Sequence, residues 1–189
     1  MLKHLMSVKT LLSSLIFNFY FVYKCRIKAS DGLSIKGFVY CKNDGVILLG
    51  SNVKINSGLR YNPIVGPSKS VFITRATGII DIEDNVGISN AVLFSVCSIK
   101  IKKSTIIGAG TCIWDTDFHS IDYNNRVLES DRGISKPIVI GENSFIGANV
   151  IILKGTTIGN NVTIGAGSIV SGNIPDNQVW GGNPAKRIR

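Results

Sequence analysis

One histidine of this sequence lies among acidic and aromatic residues. His119 closes the segment WDTDFH, which also holds Trp114, Asp115 and Asp117. A neutral imidazole accepts a proton near pH 7, and a carboxylate on its other ring nitrogen commonly orients the ring. The segment is therefore a candidate for taking a proton from a weak acid. Two alternatives stay open: a lone histidine beside aspartates is often a hydrogen-bonded structural residue, and Trp114 is equally suited to packing.

The chain lacks the ligands of a common type of catalytic metal site. His4 and His119 are its two histidines, so one chain cannot place three imidazoles on a divalent metal. Its four cysteines, at positions 25, 41, 97 and 112, have neither zinc-ligand nor CxxC spacing. We therefore expect no metal, and we expect the cysteines to stay reduced in a cytoplasmic protein.

The composition favours a folded, β-rich chain of one domain. Among 189 residues, isoleucine occurs 28 times and leucine 12 times, and there are 20 glycines. β-Branched side chains pack well on pleated strands and lose rotamer freedom in helices. Hydrophobic residues make up 44% of the chain and charged residues 17%, which excludes a disordered, solvating chain.

A six-residue repeat organises the sequence. Aliphatic residues recur in register from position 140: Ile140, Ile146, Ile152, Ile158, Ile164 and Val170. Glycine usually follows each aliphatic, and a small or β-branched residue stands four positions after it. An earlier run keeps the same spacing, with a one-residue slip in its middle: Ile82, Ile88, Phe94, Ile101, Ile107 and Ile113.

The repeat predicts a parallel β-solenoid. Six residues suit a short flat strand and a tight turn, and three such units make a triangular coil with the aliphatic residues inside. Successive coils then pair as parallel strands about 4.8 Å apart. Glycine after each aliphatic residue suits a corner that bends sharply or takes a positive φ. An antiparallel sandwich would instead alternate over units of 8–12 residues.

Two segments depart from the repeat and divide the chain. We expect the solenoid over residues 31–175, with an inserted loop at 116–137 and a tail at 176–189. Insertions into solenoids form loops on one face, and such loops often bind ligands.

Residues 1–30 are predicted to form a short helical or extended cap. The net charge of the chain is +9, and residues 1–42 carry +6 of it. The apolar stretch over residues 11–23 is shorter than the roughly 20 residues of a membrane-spanning helix. No small-residue cleavage site follows it, which disfavours a signal peptide. This segment either caps the open end of the solenoid or also contacts the inner face of the cytoplasmic membrane.

The repeat, the WDTDFH segment and the segment GGNPAK at residues 181–186 together resemble the hexapeptide-repeat acyltransferases. Within that superfamily the chain looks like the branch of the maltose, galactoside and surface-polysaccharide O-acetyltransferases. The resemblance implies an all-β, left-handed parallel β-helix, against the usual right-handed preference of parallel crossovers. It also implies a homotrimer with active sites between neighbouring chains.

The resemblance further implies transfer of an acetyl group from acetyl-CoA to a hydroxyl by direct attack. His119 falls on the catalytic histidine of the family and would act as general base. Asp115 and Asp117 are the candidates to orient it, and spacing does not choose between them. Asn90 and Trp114 are the candidate acceptor-binding residues.

A coenzyme-binding surface is expected along the tail and two repeat corners. Residues with little side chain let a pantetheine arm lie on the backbone, and cations suit its nucleotide phosphates. The candidate residues are Gly147, Gly165, Gly182, Asn183, Pro184, Ala185, Lys186 and Arg187. Glycines 147 and 165 are equally explained as solenoid corners.

The sequence does not identify the acceptor. A sugar, or a surface polysaccharide such as capsule, O-antigen or exopolysaccharide, is expected; a free sugar, serine or an antibiotic hydroxyl is the alternative. A noncatalytic solenoid binding module is the competing class. A nucleic-acid partner is not expected, because aromatic residues do not alternate with cations in the repeat. Acyl groups other than acetyl are not distinguished.

Overall fold

A computed structural model describes residues 15–17, 19–65, 69–128 and 130–189. Its strands wind around the three sides of a prism. The first three coils contain β1 (Lys28–Ala29), β2 (Ser34–Lys36), β3 (Tyr40–Asn43), β4 (Val46–Leu49), β5 (Lys54–Asn56), β6 (Val71–Thr74), β7 (Ile79–Ile82), β8 (Gly87–Ser89) and β9 (Val92–Ser95). The later coils contain β10 (Ser98–Ile101), β11 (Ile106–Ile107), β12 (Cys112–Trp114), β13 (Ile138–Ile140), β14 (Phe145–Ile146), β15 (Ile151–Ile152), β16 (Thr157–Ile158), β17 (Thr163–Ile164), β18 (Ile169–Val170), β19 (Asn173–Ile174), β20 (Val179–Gly181) and β21 (Lys186–Arg187).

The fold is the predicted left-handed parallel β-helix, in which every third strand pairs in parallel. Sheet A begins with β1, sheet B with β2 and sheet C with β3, and they have seven, eight and six strands. The aliphatic positions pair across the coils, as Ile140 with Ile158 and Ile158 with Ile174. The exception is β21, which pairs antiparallel with β20.

The core is a column of stacked aliphatic side chains. Ile140, Ile146, Ile152, Ile158 and Ile164 are all buried, as the repeat predicts. The residues four positions after each of them are buried too and line the inside of the corners: Ser144, Val150, Thr156, Val162 and Ser168.

The earlier run is out of phase at one coil. The prediction placed Phe94 inward, but Leu93 is fully buried and pairs with Ile113. Phe94 pairs with Trp114, on the outer face of sheet C. Successive side chains of a strand point to opposite faces, so a shift of one residue exchanged the two.

Glycine after the aliphatic residue serves close packing, and the positive φ lies two residues further on. Asn143, Asn149 and Asn161 have φ of 54°, 56° and 56°, whereas Gly141 lies outside the positive-φ region. A Cβ on Gly141 would lie 2.3 Å from the carbonyl of Gly159 in the next coil. The coils can therefore stack at this corner because a side chain is missing.

A helix, α1, covers the first coil; its described residues are 15–17 and 19–24. Phe21 on α1 is buried and meets Phe72 edge-on, with ring centroids 5.6 Å apart. This contact supports the predicted capping role. Residues 1–14 of the predicted cap, including His4, lie outside the described residues. Within the described ranges, no helix is long and apolar enough to cross a bilayer. The predicted domain boundaries remain predictions.

Two glycine substitutions test the packing of the corners. We expect Gly141→Ala to lower the free energy of unfolding by about 1–3 kcal/mol, because its Cβ meets the backbone of Gly159. Gly87→Ala is the matched control, since no atom lies within 4 Å of its Cβ. The control should leave stability unchanged or raise it by up to about 1 kcal/mol. Denaturant unfolding of both variants measures this, and equal stabilities would contradict the packing argument.

Candidate functional site

The inserted loop leaves sheet C after β12 and returns through an antiparallel pairing. Thr116 bridges to Ser135, and the Asp117 N–H donates to the Ile134 carbonyl at 3.1 Å. A short helix, α2 (Tyr123–Arg126), forms the tip of the loop. Asp122 caps it by accepting from the Asn124 N–H at 3.0 Å. The loop therefore has its own backbone structure, which can hold side chains in place.

A tight turn at Phe118 precedes the histidine. Phe118 has a φ of 65°, and the His119 N–H donates to the Asp117 carbonyl at 2.7 Å. A bulky residue in this region is strained, by about 1–3 kcal/mol. Phe118 is held there by packing: its ring centroid lies 4.9 Å from Phe94 and 5.8 Å from Trp114. The turn leaves the His119 side chain 73% exposed.

Asp131 holds the imidazole of His119. The Nδ1 of His119 lies 2.7 Å from Oδ2 of Asp131, whose other oxygen accepts from the Ser120 N–H at 2.8 Å. These two bonds, the Ser120 bond first, lower the pKa of the Asp131 carboxyl, so it is ionised at neutral pH. An ionised carboxylate only accepts hydrogen bonds, so Nδ1 carries the proton. In the neutral ring, Nε2 is then the basic atom, and it has no hydrogen-bond partner among the described residues.

A cavity of about 730 Å³ lies at the corner that follows sheet C, and of this pair Asp131 lines it whereas His119 does not. Phe94 and Phe118 give it apolar walls, and the Arg75 guanidinium lies 5.7 Å from the Phe94 ring centroid. Asp131 and Arg132 belong to its lining. The space can take a small organic molecule with polar groups.

The prediction for Asp115 is corrected by the structure. Its side chain is fully buried, away from the imidazole. Its Oδ2 accepts from Ser95 Oγ at 2.7 Å and from the Cys97 N–H at 2.9 Å, and its Oδ1 accepts from the Val96 N–H at 2.8 Å. Asp115 therefore fixes the corner of the preceding coil.

Asp117 does not contact the imidazole either. Its Oδ2 lies 3.0 Å from Lys154 Nζ, as an ion pair without hydrogen-bond alignment. Lys154 follows β15, so the pair ties the loop to the next coil. The orienting carboxylate is thus Asp131, and neither predicted aspartate has that position.

The side chain of Asn90 stabilises the fold, which corrects its prediction as an acceptor-binding residue. It is 1% exposed and has a φ of 42°. Its Oδ1 accepts from the Gly58 N–H at 2.7 Å, and its Nδ2 donates to the Asn62 carbonyl at 2.9 Å. Both ends of the amide therefore hold the segment before β6. Trp114 backs Phe118 and is outside the cavity lining.

The C-terminal tail packs on the last coils. The Ile169 N–H donates to the Gly182 carbonyl at 3.0 Å, and the Ala185 N–H donates to the Ile169 carbonyl at 2.8 Å. Asn183 and Pro184 are exposed between these contacts and are joined by a cis peptide bond. Lys186 and Arg187 are exposed, and neither forms an ion pair within the described ranges.

Gly147 and Gly165 belong to a longer row of glycines at the corner after sheet B. The strand registers place Gly108, Gly147, Gly165 and Gly181 one after another along the solenoid axis. The Cβ position of Gly147 is 2.6 Å from the Ala166 nitrogen, whereas that of Gly165 has nothing closer than 3.5 Å. This row is a strip of backbone without side chains, and Gly108 and Gly181 extend it beyond the two predicted repeat corners.

Sequence reasoning also missed Asp131, Phe94 and Arg75. Asp131 stands twelve positions after His119 in an irregular loop, where spacing fixes no distance. Phe94 was assigned to the core through the phase error. Arg75 carried no signal in the sequence. Among the described residues there is no cluster of His, Cys, Asp and Glu that could hold a metal ion.

Comparisons with known proteins extend these observations. The profile of the bacterial transferase hexapeptide family (six repeats) matches residues 137–172. The Escherichia coli (strain K12) protein assigned as lipopolysaccharide biosynthesis O-acetyl transferase WbbJ is 32% identical over 162 residues. That similarity covers 79% of this chain and 74% of WbbJ.

Solved structures share the architecture. A variant of AntD, an N-acyltransferase from Bacillus cereus solved with dTDP-4-amino-4,6-dideoxyglucose and coenzyme A, has a TM-score of 0.70 at 18% identity. The structural match covers 89% of this chain and 86% of the AntD chain. A maltose O-acetyltransferase from Clostridium difficile 630 has a TM-score of 0.53 at 28% identity. This match covers 86% of this chain and 68% of the maltose O-acetyltransferase chain.

The tautomer of His119 tests the site geometry. We expect the neutral ring to carry its proton on Nδ1, because an ionised Asp131 can only accept there. Heteronuclear NMR of the imidazole nitrogens measures this. Asp131→Ala should remove the preference, and Asp117→Ala should keep it. A neutral ring protonated mainly on Nε2 in the unaltered protein would contradict the assignment.

Proposed function

The chain belongs to the hexapeptide-repeat acyltransferases, and from this premise we propose that it is an acetyl-CoA-dependent O-acetyltransferase. The acceptor would be a hydroxyl of a sugar or of a surface polysaccharide such as capsule, O-antigen or exopolysaccharide. The observation that carries the proposal is the His119–Asp131 pair, which leaves a basic Nε2 exposed and whose carboxylate also lines a cavity.

His119 would act as general base. As the acceptor oxygen attacks the thioester carbonyl carbon, Nε2 takes the hydroxyl proton, the new C–O bond forms and the C–S bond breaks. The imidazolium then returns the proton to the thiolate of CoA. Asp131 is a positioning residue, since it keeps the Nδ1 tautomer and stabilises the imidazolium that forms.

The cavity beside the pair is our candidate acceptor site. Phe94 and Phe118 offer apolar ring surface, and Arg75 and Arg132 offer hydrogen-bond donors, a combination that suits a sugar. The names of WbbJ and of the maltose O-acetyltransferase support a saccharide acceptor. Trp114 backs Phe118 from outside the cavity lining, whereas Asn90 holds the segment before β6 at another corner.

Coenzyme A would lie along the glycine row and the tail. A pantetheine arm can follow the bare backbone at Gly147 and Gly165 toward Gly182–Ala185. Lys186 and Arg187 are free to meet the nucleotide phosphates. The coenzyme A bound to AntD supports this choice of co-substrate.

The positions of the two surfaces support a shared site in a homotrimer. The glycine row follows sheet B, and the cavity follows sheet C, so they lie at different corners of one protomer. An imidazole at one corner and a thioester at another do not meet unless a neighbouring chain brings them together. We therefore propose that each active site combines the loop of one chain with the glycine row of the next.

Replacing His119 tests the chemistry. We expect His119→Ala to lower kcat by about 10²–10⁴-fold, because the general base is lost. Asp131→Asn should lower kcat roughly tenfold or more at unchanged KM, because the wrong tautomer is allowed. Acetyl-CoA consumption is measured against free sugars, nucleotide sugars and oligosaccharides of the host surface polymer. Asp122→Asn, which removes a carboxylate from the same loop and keeps a helix cap, is the control; normal turnover of His119→Ala would sink the proposal.

Mixing two inactive variants tests the shared site. We expect Gly165→Val to block the coenzyme groove without changing His119. When it is co-expressed with His119→Ala, mixed oligomers should regain part of the activity, since some sites combine an intact loop with an intact groove. Gly165→Ala should raise the KM for acetyl-CoA without loss of stability, because its Cβ meets no close backbone atom. Co-expression without any recovery would contradict the shared site.

A further inference from the structure

The described residues on the outer face of α1 are apolar and exposed. Phe21 faces the core, but Leu15, Ile16, Phe19 and Tyr23 on the same helix are 57–71% exposed. A helix that is apolar on all sides is normally covered on all sides. The capping contact therefore explains one face of α1 and leaves the opposite face unexplained.

The exposed face continues onto the first coil. The rings of Phe19 and Tyr23 stack with centroids 5.5 Å apart and an interplanar angle of 5°. Tyr20 lies 5.8 Å from Phe38, which is 43% exposed, and Tyr40 on β3 is 44% exposed. The terminal patch, as we call this surface, consists of Leu15, Ile16, Phe19, Tyr20, Tyr23, Phe38 and Tyr40. Large apolar side chains that are exposed together in this way mark an interaction site.

Cations accompany the terminal patch. Residues 15–42 contain five cations and one carboxylate, Asp31, a net charge of +4. The cations are exposed and form no ion pairs within the described ranges: Lys24, Arg26, Lys28, Lys36 and Lys42. Lys69 adds a sixth positive charge, with its Nζ 5.7 Å from the Phe38 ring centroid.

We propose that the terminal patch docks the protein on an anionic lipid surface. Aromatic and aliphatic side chains of α1 would enter the headgroup region, and tyrosine rings suit its polar boundary. The exposed cations of this segment, with Lys69 beside Phe38, would meet the lipid phosphates. A second copy of the chain is the less favoured occupant, because a symmetric contact would set two surfaces of charge +4 against each other.

The end of the solenoid that α1 covers would thereby face the bilayer, with the coil axis leading away from it. One face of α1 would then cap the solenoid while the other contacts the membrane, so the two interpretations of the N-terminal segment are compatible. This inference is independent of the chemistry at His119.

Vesicle flotation of the full chain tests the proposal. We expect binding to vesicles of phosphatidylcholine and phosphatidylglycerol in equal parts, and little binding to phosphatidylcholine alone. Lys24→Gln with Lys28→Gln should weaken binding to the mixed vesicles by about tenfold or more, and added salt should weaken it too. Phe19→Ser with Tyr23→Ser should abolish it.

The control removes similar groups from another face. Ile106→Ser with Lys54→Gln takes one exposed apolar residue and one cation from the outer side of sheet B. Light scattering and thermal unfolding accompany each variant, so that a misfolded protein is recognised. No binding by the unaltered chain overturns the proposal, as does equal loss in the control. A change of oligomeric mass in Phe19→Ser with Tyr23→Ser at undiminished vesicle binding also overturns it and identifies a second copy as the occupant.

Discussion

The close approach of backbones between successive coils is the constraint on which the rest of this structure depends. Parallel strands fix the separation of the coils at about 4.8 Å, and every corner must fit that spacing. The aliphatic column fills the interior, while glycine at positions such as 141 and 147 removes side chains that would push the coils apart. Extra residues can therefore leave the solenoid at corners, and the loop that carries His119 does so after β12.

Rigidity at the corners explains how a strained loop can be stable. The turn at Phe118 is costly by itself, but its ring packs on Phe94 and Trp114, which two regular strands hold in place. The buried Asp115 fixes the corner beneath, and the Asp117–Lys154 pair ties the loop to the following coil. The imidazole is thus exposed while the backbone under it is held from several sides.

The periodic part of the molecule was predictable from the sequence, because stacking imposes the same demand on every coil. Ile146 and Ile164 could be placed in the core from spacing alone. The phase error at Phe94 arose where two apolar residues adjoin, so hydrophobicity could not choose between them. The hand of the helix came from the family resemblance, since spacing is the same for either hand.

The site was less predictable, because a loop has no period. His119 was identified by its residue type and its neighbours, but Asp131 reaches it through a fold of the loop that spacing does not encode. Asn90 is a polar residue of the repeat and a predicted acceptor-binding residue. Its positive φ and its buried side-chain amide instead hold a corner of the solenoid. Residue type predicted the chemistry, and only the structure showed which groups were already engaged.

The glycine row has a consequence for how this architecture can change. From Gly108 to Gly181 the strip advances by three coil separations, about 14 Å in all. The length of this strip can change only by a whole coil, because an incomplete coil would expose the aliphatic column and break the strand registers. Distances along this edge therefore change only in steps of one coil, whereas the irregular loop after β12 can be adjusted one residue at a time.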